Sequence, residues 1–296
     1  MPHAPAADGT NIFHEETGSG DPLIFVHEFA GDHRSWRGQV QFFSRRYRCI
    51  TMNARGYPPS DVPDDPANYS QKNQADDVAA VLDHLGIETA HVTGCSMGSF
   101  ASLHFALRHG ARARSLFLSG IGTGAPKGAI RAKFLKDSLA AADGYDTGGS
   151  ARMADGMAVG PTRVQLQNKD SIGWATFKAH LVEHDAVGAA NTLRGYQADR
   201  PSLHDLADEI AALDIPSLIA VGDEDEPCLD TSLWLKRQMP WSGLWIAPKT
   251  GHCINLEEPA AFNAALLDFL TAVEQGKWPK RDPRATVPGS FLADEH

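Results

Sequence analysis

Apolar residues in this chain fall in short, unbroken runs separated by polar stretches. "PLIFVHEF" (Pro22 to Phe29), "RCITMNA" (Arg48 to Ala54), "AHVTGC" (Ala90 to Cys95) and "ARSLFLSG" (Ala113 to Gly120) come first. "PSLIAVGDED" (Pro216 to Asp225) and "SGLWIAPKTGH" (Ser242 to His252) follow much later. A run without alternation reads as a strand covered on both faces, as in a parallel sheet. Helical spacing lies between the runs. Val78, Val81, Leu82 and Leu85 share one face, with Gly86 as a stop; Phe100, Leu103 and Leu107 share another. Phe262, Leu266, Phe269, Leu270 and Val273 form a third, closed by Gly276. Alternating strands and helices predict an α/β fold with a mostly parallel sheet.

The alternation breaks between about Gly124 and Leu206. "RAKFLKDSLAAADGYD" and "SIGWATFKAHLVEHDAVGAANTLRGYQ" read as helices, and "TGGSARMADGMAVGP" between them as a flexible connection. A helical insertion between two strands is most simply a lid over the sheet's edge. The expected organisation is a core of residues 1–123 and 207–275, a helical cap of 124–206, and a tail of 276–296. The tail is rich in proline and charge and is expected to be extended or partly disordered.

Composition narrows the function. The 296 residues suit one large domain, with or without an inserted lid. A net charge of -10 gives no reason to expect a nucleic acid or an anionic membrane as partner. Four scattered cysteines form no C-x-x-C pair and no zinc spacing, which points to free thiols in a reducing cytoplasm. The start of the chain lacks a basic region followed by an apolar one, and no run is long enough to span a bilayer. The expectation is a cytoplasmic, soluble protein acting on a small molecule, with no metal or organic cofactor implied; a homodimer stays open.

The candidate chemistry starts at "HVTGCSMGSF". Gly94, Ser96 and Gly98 make G-x-S-x-G between a strand-like and a helix-like stretch. A strand that turns at once into a helix puts its corner residue in unfavourable backbone space, and only small neighbours fit beside it. The hydroxyl then projects from the top of the sheet, and the Met97 N–H points at the carbonyl under attack. The plainer alternative is a tight turn with an incidental serine.

A serine hydroxyl needs a base. His252 lies on the loop after the last strand-like run, on the same sheet edge as Ser96. An orienting acid is expected after the penultimate strand, where "VGDEDEPC" offers Asp223, Glu224, Asp225 and Glu226. Asp225 is preferred over Asp223 because it lies farther past the strand end; the others read as a solvated loop. The chain order is then serine, acid, histidine.

With these pieces the chain resembles the α/β-hydrolase family from about Asn11 to Val273. "HEFAG" (His27 to Gly31), "NARGYPPS" (Asn53 to Ser60), "GCSMG", "GDED" (Gly222 to Asp225) and "GHCINLEEP" stand in the family's order. The resemblance implies the α/β-hydrolase fold: a mostly parallel central sheet with flanking helices and an inserted helical cap. It implies Ser96 as nucleophile, His252 as base and Asp225 as acid, with the Phe29 and Met97 amides as oxyanion hole. Trp36 resembles the family's structural tryptophan on the first helix.

Some positions depart from the pattern. Glu28 stands where a glycine is usual. It is expected to face solvent or serve structure, paired with Arg34, although a pocket role in binding a cationic or hydroxyl-bearing substrate is the alternative. Cys95 and Cys253 read as packing residues. Asn53 and Pro58 replace an aspartate and a glycine and suggest a locally rearranged loop.

The expected reaction is hydrolysis of a carboxylic ester or lactone of small to medium, partly apolar shape, through an acyl-enzyme. The insertion offers Phe134, Leu135, Met153, Met157, Trp174, Phe177 and Leu181, mostly as lid core; Trp174 is taken to meet the substrate. The first rival is a C–C bond hydrolase acting on a β-diketone or ring-cleavage product with the same three residues. A non-catalytic ligand-binding member of the fold ranks lower, and a cofactor-free oxygenase or perhydrolase side activity is a further alternative.

Overall fold

The computed structural model describes residues 2–286. Its strands are β1 (His3–Pro5), β2 (Asn11–Thr17), β3 (Asp21–Val26), β4 (Tyr47–Met52), β5 (Ala90–Cys95), β6 (Ala113–Ser119), β7 (Ser217–Gly222) and β8 (Ser242–Ala247). They form one sheet in the order β1-β2-β4-β3-β5-β6-β7-β8. β1 and β2 pair antiparallel and β2 meets β4 antiparallel; every other pairing is parallel. The apolar runs thus mark the six parallel strands. β1 and β2 escape that reading because neither is a continuous apolar run, and β2 turns three polar residues to solvent at its end.

Helices before the insertion are α1 (Arg37–Phe43), α2 (Gln71–His84) and α3 (Met97–His109). Within it lie α4 (Ala129–Met157), α5 (Val164–Lys169), α6 (Ser171–Val182) and α7 (Ala186–Asn191). After these come α8 (Ala207–Ala211), α9 (Glu226–Gln238), α10 (Ile254–Glu257) and α11 (Pro259–Glu274).

Both faces of the sheet are covered, and the period of two along each strand decides which side chain goes where. Ile24, Val26, Ile50, Met52, Val92, Leu116, Leu118 and Ile219 pack on one side with α2 and α3, through Val78, Val81, Leu82, Phe100 and Leu103. Their strand neighbours Leu23, Phe25, Cys49, Phe117, Leu218 and Ala220 pack on the other with Trp36, Phe43, Phe262, Leu266 and Phe269. Trp36 is fully buried, with ring centroids 5.1 Å from Phe25 and 6.0 Å from Phe262.

The segment between β6 and β7 holds helices and no strand among the described residues. The stretch expected as a flexible connection is folded instead: "TGGSARMADGM" closes α4, whose backbone breaks only at Gly149, φ 69°. Alanine, arginine and methionine there favour helix, and one glycine is enough to change its direction. Of the expected tail, residues 287–296 lie outside the described residues. Trp278 does not extend away but packs edge-on against Phe269, centroids 4.8 Å apart.

Candidate active site

The carboxyl ends of the parallel strands deliver the candidate residues to one rim, the usual place for a site in an open α/β sheet. Ser96 sits at the β5–α3 corner with φ 51° and ψ −114°. Such a backbone costs about 1–3 kcal/mol and persists only where the surroundings impose it. Here they do. The Ser96 amide donates to the Ser119 carbonyl at 2.8 Å, and Ser99 Oγ donates to the same carbonyl. A Cβ at Gly98 would stand 2.0 Å from the Val26 carbonyl oxygen, and one at Gly94 2.4 Å from that of Gly98, so neither position accepts a side chain. Tyr196 anchors the first turn of α3 by donating to the Met97 carbonyl at 2.7 Å.

His252 and Asp225 meet at 2.7 Å through Nδ1 and Oδ2, both buried. Burial disfavours a charged imidazole, but the Asp225 carboxylate outweighs it and holds the His252 pKa well above its ordinary value. Burial likewise pushes Asp225 up, and the facing imidazolium brings it below the usual carboxylate range. Asp223, the rival acid, is exposed and accepts the Thr250 amide at 3.1 Å, bracing the loop that carries the histidine. Glu257 braces it from the other side, accepting the amides of Gly251 at 2.7 Å and Cys253 at 3.1 Å. The next residue of β6's exit, Gly120, has φ 60°; a Cβ there would stand 3.2 Å from His252 Cε1. Bare backbone therefore walls the imidazole.

The loop after β3 is fixed by its histidine. Ala54 N–H donates to His27 Nε2 at 3.0 Å, so the proton is on Nδ1, which donates to the Glu28 carbonyl at 2.6 Å. Tyr57 donates to the Phe29 carbonyl at 2.9 Å. Among the described residues, neither the Phe29 nor the Met97 amide donates to a protein acceptor. The asparagine in the departing loop does its own bracing: Asn53 Oδ1 accepts the His33 amide at 2.8 Å, and its Nδ2 donates to the Pro58 carbonyl at 2.7 Å.

Glu28 departs from expectation. It is buried, and its partner is not Arg34, which binds Asp32 and Glu183. Glu28 pairs with Arg163, just ahead of α5 and equally buried, and accepts from the Cys253 thiol at 3.0 Å. Burial raises the Glu28 pKa, and Arg163 and His252 more than reverse that, keeping it a carboxylate. Cys253 therefore hydrogen-bonds as well as packs. Trp174, half-buried, donates to the Ala158 carbonyl at 2.6 Å and shares an apolar cluster with Phe177, Leu181, Leu166 and Phe29. Sequence reading missed Arg163, which belongs to no motif, and gave no role to Tyr57, Gly120 or Glu257, although each lies within a quoted motif or apolar run.

Asp225, Cys228 and His252 are the one group of three buried potential metal ligands among the described residues, with ligand atoms within 4.8 Å of one another. The Asp225–His252 hydrogen bond already accounts for two of them. A cleft of about 900 Å3 lies farther along, between α1 and α6; Ala30, Gly31, Arg34, Phe177 and Leu256 help line it, and Ser96, Asp225 and His252 do not.

Known proteins resemble the chain along most of its length. The 3-oxoadipate enol-lactonase 1 of Acinetobacter baylyi is 26% identical over 260 residues, 85% of this chain and 89% of that protein. The 2-hydroxy-6-oxononadienedioate/2-hydroxy-6-oxononatrienedioate hydrolase of Burkholderia vietnamiensis is 26% identical over 281 residues, 89% of this chain and 92% of that protein. The solved structure of a thermophilic esterase from Thermogutta terrifontis superposes with a TM-score of 0.82 at 23% identity, covering 92% of this chain and 98% of that one. Residues 21–259 match the family described as alpha/beta hydrolase fold. Sheet order, rim and sequence match agree, and the chain belongs to the alpha/beta hydrolase fold family.

Proposed function

We propose that this hydrolase cleaves a carboxylic ester or lactone of small to medium size, with Ser96 as nucleophile. Ser96 Oγ adds to the acyl carbon while His252 takes its proton. Asp225 fixes the histidine tautomer with the proton on Nδ1 and stabilises the imidazolium that forms. The Phe29 and Met97 amides, unspent on protein acceptors, hold the oxyanion. His252 returns the proton to the leaving oxygen, and the acyl-enzyme is then hydrolysed by water activated by the same imidazole. The helices of 124–206 act as a cap, presenting Tyr145, Met153 and Met157 beside Phe29 as an apolar surface for the acyl group. Trp174 belongs to that cap and contributes to the substrate through the cluster it shares with Phe29.

The observation that carries this reading is the meeting of four strand ends. Ser96 is bound to Ser119, Gly120 lies against the His252 ring, and Asp225 holds that ring's Nδ1. All four cysteines are free and buried, which accords with a reducing compartment such as the cytoplasm. No helix of the described residues is long and apolar enough to cross a membrane.

The similarity to a C–C bond hydrolase favours a second reading, with the same residues acting on a vinylogous diketone. A panel of aryl esters of rising chain length, lactones and such a diketone separates the two. Turnover of esters or lactones at the higher kcat/KM is the expected result. Preference for the diketone with negligible ester turnover contradicts it.

A further inference from the structure

The Glu28–Arg163 pair is an unusual thing to find beside an oxyanion hole. Glu28 immediately precedes Phe29, and a lone carboxylate there would oppose the negative charge that develops on the substrate oxygen. Both residues are only 4% exposed, so solvent screens neither. Arg163 supplies the compensating charge from 135 residues away, and its guanidinium also stacks 4.9 Å from the centre of the Phe177 ring.

The pair is one end of a longer attachment. Behind Arg163, Gln165 binds Glu224, the neighbour of Asp225. Lys169 Nζ reaches Thr250 Oγ1 at 3.3 Å and Glu258 at 2.7 Å, on either side of His252. Residues 163–169 thus bridge the Glu28 loop, the Asp225 loop and the His252 loop. Of these contacts only Arg163–Glu28 is a fully buried ion pair.

We propose that Arg163 is a positioning residue, which neutralises Glu28 beside the oxyanion hole and docks residues 163–169 across the loops that carry Glu28, Asp225 and His252. The proposal rests on the reading of Ser96, His252 and Asp225 given above. Removing one member of a buried pair strands the other as an uncompensated charge, whereas removing both together does not.

The charge left behind acts on His252. The groups acting on that ring are Asp225 just ahead of α9, Cys228 in the first turn of α9, and Glu28, which Arg163 pairs. Cys253 and Glu257 lie on its own loop. Arg163→Met leaves Glu28 with the His252 imidazolium as its remaining counter-charge, so the two stay ionised together and the acid limb of kcat/KM moves up by about one pH unit. Glu28→Gln leaves Arg163 positive and moves the limb down. A role in packing alone gives no such opposite pair of shifts.

The test measures pH profiles on the best ester of the panel for wild type, Arg163→Met, Glu28→Gln and the double variant, with His252 titrated directly by histidine NMR. Arg163→Met is expected to lose about 100-fold in kcat/KM, as for loss of one oxyanion contact. The double variant is expected within about tenfold of wild type, with its limb restored. Should Arg163→Met fail to fold, the downward limb of Glu28→Gln and the recovery in the double variant still decide. Limbs that stay put, or a double variant whose loss is the product of the single losses, overturn the proposal. Labelling of wild-type Ser96 by a fluorophosphonate in the same preparation keeps two failures apart. A labelled serine with unmoved limbs sinks the role of Arg163 alone; an unlabelled one sinks the underlying reading as well.

Discussion

The chemistry of single residues turns on the charge state of His252. In the proposed mechanism its Nδ1 proton is bound to Asp225, which leaves Nε2 to act as base. Since Asp225 raises the imidazole pKa, the inactive, protonated form persists to higher pH than in a free side chain. Activity is therefore expected to rise with pH through a midpoint above about 6.5, the unperturbed histidine value. Asp225→Asn removes the cause. Its acid limb moves to lower pH, and its kcat falls about 10,000-fold as the wrong tautomer takes over. A pH–rate profile of both proteins checks the sign and the size. An unchanged limb in the variant is incompatible with the assignment of Asp225. The acidic run "DEDE" could not by itself say which carboxylate does this. The structure separates them by burial: Asp225 is enclosed, while Asp223, Glu224 and Glu226 stay exposed.

Secondary-structure elements were legible where burial imposes a pattern. Five of the six parallel strands are covered on both faces and so appear as unbroken apolar runs, while β8 at the sheet's edge keeps its run half-buried. The β5–α3 corner was legible because steric crowding restricts its neighbours to glycine. That crowding makes a prediction. Alanine at Gly98 meets the backbone oxygens of Val26 and His27, which no side-chain rotation can relieve. Gly98→Ala is expected to lose about 3 kcal/mol or more, as overpacked cores do. Gly156→Ala is its control: the position lies in α4 with open space around it, and alanine there should be neutral or gain up to about 1 kcal/mol. Urea titration of both variants reads the difference. Equal stabilities would mean that the corner is not crowded. What stayed hidden in the sequence has long-range causes. Arg163 finds Glu28 only through the docking of the inserted segment, and a lone arginine before a short helix carries no local sign of it. β1 at the sheet's edge and β2 next to it stayed hidden because neither is a continuous apolar run.

Across the whole molecule, the sheet acts as a frame whose strand ends set distances that no local sequence controls. Ser96 follows β5, Asp225 follows β7 and His252 follows β8, so parallel pairing in register brings residues up to 156 positions apart to one rim. We propose that the helical segment caps that rim from the Arg163 side. Its apolar contacts with Phe29 and its polar contacts with the histidine loop make it part of the site's geometry, not an appendage. The central claim is that this convergence activates one serine. Intact-mass measurement after incubation with a fluorophosphonate tests it most directly, with peptide mapping of the adduct and Ser96→Ala beside the wild type. The account predicts a single adduct, on Ser96, in the wild type only. A wild-type protein that takes up no reagent, or an adduct that survives in Ser96→Ala, contradicts it.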